Sequence, residues 1–424
     1  MRKLLIILFS LLSIAAFSQT NTYSPYSRFG LGDLSRQGTA LNKSMGGTGI
    51  ALRFPNSVNY INPASYSTMD TLSFLFDFGL YSNATTYKTS TIESNDLRSS
   101  IDHIIIGFPV TRWWKSSLGL VPYSRMGYDV LNYGGGMKYS FKGTGGLNQF
   151  YFGNSFKIKE LSVGFNYNMV FGSLEQTHSY ASETDSKVMP TTRFQQQSIR
   201  SSSLTLGAQY NIKLSSSWSA VLGVIYEGKS YFVSQNTLLV TNNATIDDTI
   251  VNPYTASKGG KFLLIDTVKY SDAKEKDHLP YKYGVGLTLN YNNKLIVSAD
   301  YSKQNWSDYS FSSFDTLADA RYLNFGIQFT PDEKAIRSYW KRINLRAGFY
   351  TTDTYLKVNS QQVNDYGLSF GLRFPFKGNR SSVQLSYEYG KRGTTSHNLV
   401  QENYHFINFS VTLYDFWFVK SKFD

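Results

Sequence analysis

Residues 161–172 read "LSVGFNYNMVFG", and the order of these residues decides the fold. Leu161, Val163, Phe165, Tyr167, Met169 and Phe171 occupy alternate positions, with Ser162, Gly164, Asn166 and Asn168 between them. Side chains of a strand alternate between its two faces, so a period of two predicts a strand with one apolar and one polar side. The pattern returns in "YKYGVGLTLNY" (281–291), "DYGLSFGLRFPF" (365–376) and "VQLSYEYG" (383–390).

A soluble β-sandwich alternates in the same way, and two features favour a membrane barrel instead. The apolar faces often end in Tyr, Phe or Trp, which gather at bilayer interfaces. The polar faces carry Gly, Ser and Asn with occasional Arg, Asp and Glu, as a wet lumen requires. The 32 Tyr, 30 Phe and 33 Gly among 424 residues point the same way. Candidate strands begin near Ser73, Ser99, Lys115, Met137, Leu161, Thr191, Ser216, Tyr281, Lys294, Asp319, Arg342, Val363, Arg380 and Glu402, about fourteen in all. An even number suits a bacterial barrel, as do short links ("TRWWKS", "IKEL", "LSSS", "NYNNK") alternating with longer polar ones. One link at the short-turn end, "TPDEKAIRSYWK" (330–341), is too long for a tight turn and reads as a short amphipathic segment on the periplasmic side. Asn242 to His278 reads as an outer loop with room for a hairpin at "KFLLIDTVKY". The expected fold class is all-β, an antiparallel transmembrane β-barrel.

The chain opens with "MRKLLIILFSLLSIAAFSQT", a basic pair, an apolar run and small residues before a cut. The run is shorter than the ~20 residues a spanning helix needs, so residues 1–18 are expected to be a signal peptide and the barrel to reside in the outer membrane. With no Cys, the chain has no disulfides, thiolate metal sites or acylated cysteine. The formal net charge of +12 suits contact with anionic lipid headgroups or anionic solutes. Lys and Arg are scattered rather than clustered, which argues against nucleic acid.

Catalysis finds no foothold. His103, His178, His278, His397 and His405 form no HExxH pair, and no G-x-S-x-G elbow or P-loop occurs. His103, beside Asp102, reads as a lumen or interface histidine, because a catalytic base also needs an oriented nucleophile. No enzyme, cofactor or metal is expected.

Residues 19–70 precede the barrel of 71–424. They are rich in small residues, yet Leu31, Leu34, Met45, Ile50, Leu52, Phe54, Val58 and Ile61 are too apolar for a solvated tail. Such a segment cannot bury a core of its own and needs a host, and a fourteen-stranded lumen is wide enough to hold it. The run "NYINPASYS" (59–67) places Asn62, Pro63 and Ala64 where the chain turns out of that lumen: Pro63 fixes φ and Asn62 bonds neighbouring backbone.

The order "ALNKSMGGTGIA" (40–51), "NYINPASYS", then "LSFLFDFGLY" (72–81) resembles the FadL/TodX family of outer-membrane transporters for long-chain fatty acids and other hydrophobic compounds. The likeness is strongest over Gly38–Tyr81. It implies an N-terminal hatch carrying Gly46, Gly47, Asn62, Pro63 and Ala64. It also implies a lateral opening where the third strand is interrupted, at Pro122, Ser124, Arg125 and Gly127. Proline deletes a ladder hydrogen bond and glycine favours a bulge, which suits such a break. The expected activity is passive uptake of a small hydrophobic ligand with sideways exit into outer-membrane lipid. The alternative is an accessory subunit of an outer-membrane protein complex for secretion or barrel assembly.

Overall fold

Fourteen antiparallel strands close into one ring in the computed structural model, which describes residues 24–183, 190–242, 266–307, 317–358, 360–376 and 381–416. The strands are β1 (Ser73–Lys88), β2 (Glu93–Pro109), β3 (Trp114–Arg125, resumed at Tyr128–Gly134), β4 (Met137–Ile158) and β5 (Leu161–Ser182). β6 (Thr191–Lys213), β7 (Trp218–Glu227, resumed at Ser230–Asn242), β8 (Asp266–Leu279, resumed at Lys282–Tyr291) and β9 (Leu295–Gln304) follow. The ring is completed by β10 (Ala320–Phe329), β11 (Asn344–Val358), β12 (Gln361–Pro375), β13 (Ser382–Arg392) and β14 (Gln401–Phe416). β14 pairs with β1 from Gln401↔Lys88 to Phe416↔Ser73, so no edge is left at the seam.

The wall is inverted relative to a soluble protein. Leu204, Leu206 and Tyr210 on β6, Leu222, Val224 and Tyr226 on β7, and Leu323, Phe325, Ile327 and Phe329 on β10 are all exposed. Their alternates Ser203, Thr205, Gln209 and Gln328 are buried. An apolar girdle outside and a polar lining inside is what lipid selects and water rejects, which removes the sandwich. Aromatic stacks mark one rim: Trp113 on Trp114 and Phe156 (6.4 and 6.0 Å), and Trp218 on Tyr291 (4.9 Å). Among the described residues no helix is long and apolar enough to cross a membrane.

Two boundaries differ from the expectation. β2 starts at Glu93 rather than near Ser99, and Asp266–Leu279 is the far half of β8 rather than part of a loop. Both stretches lie beyond the apolar band, where strands need no lipid face and alternation disappears. Residues 243–265, including the first half of the expected hairpin, lie outside the described residues.

Parity places 110–113, 159–160, 214–217 and 292–294 at one end and 393–400 at the other. The native chain lacks Cys, so Ser396→Cys and Ser216→Cys each introduce a single thiol. On intact cells an impermeant maleimide should modify Ser396→Cys and spare Ser216→Cys. The reverse pattern would invert the barrel.

Candidate functional site: the occupied lumen and the break in β3

Residues 24–70 touch inward-facing groups on strands from β1 to β14, and a segment that does so lies inside the ring. A Cβ on Gly223 would overlap Ile50, one on Gly326 or Gly348 would overlap Met45 or Gly46, and one on Gly371 would overlap Ser44. The wall is therefore scalloped with glycines where the N-terminal chain passes.

Gly46 (φ +67°) and Gly47 (φ +84°) hold left-handed conformations that favour glycine. Gly46 also lies against the Phe325 and Phe349 carbonyls with no room for a side chain, and its N–H donates to Ser369 Oγ at 2.9 Å. Gly49 and Ile50 N–H groups donate to Asp300 Oδ2 on β9 at 2.6 and 2.8 Å. Asn62 caps a short 3-10 helix, Pro63–Thr68, by accepting from the Ala64 N–H at 3.0 Å, while its amide donates to the Ile50 carbonyl at 2.7 Å. Pro63 takes the first helical position, where a missing N–H costs nothing. Ser155 Oγ donates to the Ala64 carbonyl (3.0 Å) and Tyr66 donates to Asn166 (2.9 Å), docking the helix on β4 and β5.

Ion pairs fix the remainder, and apart from His103 beside Asp102 these residues carry no signal in a strand-by-strand reading. The β1–β2 register shifts between Gly79 and Leu80, leaving Asp102 as the extra residue of a bulge. Asp102 and His103 are consequently both buried, although consecutive strand residues normally face opposite ways. His103 bridges Asp102 (2.9 Å) and Asp77 (3.1 Å), and Lys43 from the N-terminal segment pairs with Asp102. Further along, Arg392 joins Asp33 (2.5 Å) and Glu402 (2.6 Å), and Ser24 Oγ donates to Glu402 Oε1 (2.5 Å). Arg36 pairs with Glu388 at 2.5 Å while lying 3.3 Å from the centre of the Tyr350 ring. Burial, seconded by Glu402, pushes the Tyr26 phenol up to about 12, so it stays a donor to the Val400 carbonyl.

The four residues assigned to the third strand lie together at a discontinuity in the wall. β3 pairs with β2 only from Lys115↔Pro109 to Leu120↔Ile104, and its second half pairs with β4 alone. Pro122, which has no N–H, sits two residues past the last rung, and the β3–β4 register slips between Pro122 and Ser124. The N-terminal chain takes up the freed edge: Asp33 pairs with Arg125, Leu34 with Ser124, and the Ser35 N–H donates to the Tyr123 carbonyl at 2.9 Å. Ser27 Oγ accepts from the Gly127 N–H at 3.1 Å.

The free space is divided, and charged and apolar groups line it together. A cavity of about 200 Å³ is lined by Asp33, Arg36, Asp300, Lys282 and Arg392 among others. A second, of about 130 Å³, lies beside Pro122 and is lined by Lys43, Arg98, Asp102 and Arg125. Among the described residues no group of three or more His, Cys, Asp or Glu is disposed to hold a metal.

These features define a fourteen-stranded barrel of the type seen in hydrophobic-compound channels. The toluene transporter TodX of Pseudomonas putida superposes with a TM-score of 0.60 at 15% identity, over 90% of this chain and 99% of that one. The toluene transporter TbuX of Ralstonia pickettii gives 0.56 at 14% identity (89% and 98%), and a FadL homologue of Pseudomonas aeruginosa gives 0.58 at 12% (91% and 99%). At such identities the likeness carries the fold, and with it the outer membrane as the place the fold points to. The chain belongs to the BamG family, whose model matches residues 1–424. No curated protein matches it.

Proposed function

We propose that this protein is a sealed accessory barrel, a structural subunit of an outer-membrane protein complex of the secretion or barrel-assembly kind. One observation supports the reading: residues 24–70 are tied to inward-facing wall residues through buried ion pairs, and those paired charges border the space that remains. A hydrophobic solute entering there would have to separate Arg392 from Asp33 and Glu402, or Lys43 from Asp102. Breaking a buried pair so that one charge is stranded costs about 3–5 kcal/mol, more than the about 1.5–3 kcal/mol that burying one apolar side chain returns. The working surface of such a barrel is its exterior. In mild-detergent extracts of native membranes the chain should run as a species well above its own 48.0 kDa. Migration at the mass of the lone barrel would refute the reading.

A second reading, passive uptake of small hydrophobic molecules with exit near Pro122 into the bilayer, is favoured by the incomplete β2–β3 ladder. If that break is an exit, Pro122→Val with Gly127→Val should restore pairing, because β-branched residues suit a pleated wall. Uptake of a hydrophobic probe should then fall several-fold with small polar solutes unaffected. Undiminished uptake in a correctly inserted variant would remove the side exit.

A further inference from the structure

The link from β10 to β11, residues 330–343, is the long exception among the described turns at its end of the barrel, the end that faces the periplasm in barrels of this kind. It is nonetheless ordered. The Asp332 N–H donates to the Lys341 carbonyl at 2.8 Å, closing its base, and the Lys334 N–H is capped by Asp332 Oδ1 at 3.0 Å. The Thr330 N–H donates to the Lys294 carbonyl at 2.8 Å, tying the link to the neighbouring turn. A short 3-10 turn, Tyr339–Arg342, sets Arg342 5.1 Å from the Tyr339 ring centre.

This closed loop presents Ile336, 98% exposed, and Trp340, 76% exposed, with three exposed cations, Lys334, Arg337 and Lys341, around them against one exposed carboxylate, Asp332. Leaving an isoleucine and a tryptophan in water on a preordered loop forgoes about 1.5–3 kcal/mol for each such side chain. Trp and Arg are also the residues that anchor protein interfaces. The rim aromatics behave differently: Trp113 and Trp218 lie against aromatic wall residues, whereas the ring Trp340 meets among the described residues is Tyr339, edge-on, within its own loop. Ile336 stands clear of the wall altogether.

We infer that residues 332–342 are a docking loop for a periplasmic protein or periplasmic domain with an acidic surface, whose apolar pocket takes Ile336 and Trp340 while carboxylates around it meet Lys334, Arg337 and Lys341. The loop is held by its own backbone bonds before contact, so little ordering entropy is lost on docking. This inference rests on the accessory-subunit reading and names the surface that reading requires.

The full-length chain, Ile336→Asp/Trp340→Ala and Lys334→Glu/Arg337→Glu are compared by size in mild-detergent extracts of native membranes, with heat-modifiable migration certifying the barrel. The unaltered chain should run heavy, and each double variant should lose at least tenfold of the heavy form while its barrel stays folded. A heavy form that survives both variants overturns the docking loop and leaves the subunit reading standing. An unaltered chain at monomer mass overturns both, and a heavy form containing only this chain replaces the partner with a second copy and overturns the inference. To separate protein from lipid, Ile336→Cys, the chain's only thiol, carries an environment-sensitive dye. Its emission should be blue-shifted in native envelopes and water-like in phosphatidylethanolamine–phosphatidylglycerol vesicles. A blue shift in the vesicles assigns the loop to the membrane surface and overturns the inference.

Discussion

Deleting Ser24 to Met69 should convert a closed barrel into an open pore, raising single-channel conductance about tenfold or more, because the width of a fourteen-stranded ring is set by strand number and not by its filling. The wall ladders are made between strands and do not need the segment. The carboxylates and cations it leaves behind, Asp102, Glu388, Glu402 and Arg392, would face water, where an unpaired charge is no longer costly. The altered barrel should still insert and remain heat-modifiable, and planar-bilayer recording with an antibiotic-sensitivity test would read the opening. Unchanged conductance would mean that the segment is not the barrier.

Gly348→Val should achieve much of the same with one residue. Valine suits a strand in general, but here its Cβ would fall on the Gly46 backbone, and Gly46 is itself wedged between the Phe325 and Phe349 carbonyls. Backbone on both sides leaves no flexible side chain to swing away, which puts the overpacking cost near the upper end of ~1–3 kcal/mol. The result should be a lower melting temperature and a leak, as the turn at Met45–Gly47 is pushed off the wall. Gly134→Val is the control, since nothing lies within 4 Å of a Cβ there. Equal melting temperatures for the two variants would show that the 46/348 contact does not hold the segment.

What the sequence made legible follows from which solvent each face meets. Inside the apolar band lipid enforces strict alternation, so β5, β12 and β13 could be read directly from residues 161–172, 365–376 and 383–390. Above the band nothing enforces it, and "DTVKYSDAKEKDHL", the outer half of β8, passed for loop. The Asn-Pro-Ala run stood out because a fixed φ and a side chain that bonds nearby backbone need particular residues, and Gly46 and Gly47 were singled out by the family resemblance. Their partners were not. Asp33, Arg392 and Glu402 each look like an ordinary lumen charge, and only the closed ring brings Ser24 to Glu402 across 378 positions. The bulge that turns both Asp102 and His103 inward breaks the period-two rule used to find strands, so that rule could not report it.

The seam between β14 and β1 has a consequence for assembly. The last of the described strands, β14, supplies Glu402, and β13 beside it supplies Glu388 and Arg392, the groups that hold Asp33, Ser24 and Arg36 near the start of the described chain. Contacts of such long sequence separation form late, because loop closure must precede them. Completing the wall and locking the interior are thus a single terminal event. A polypeptide cut short before residue 401 would lack both, and would carry an open edge and a loose N-terminus by which a surveillance protease could recognise it as unfinished.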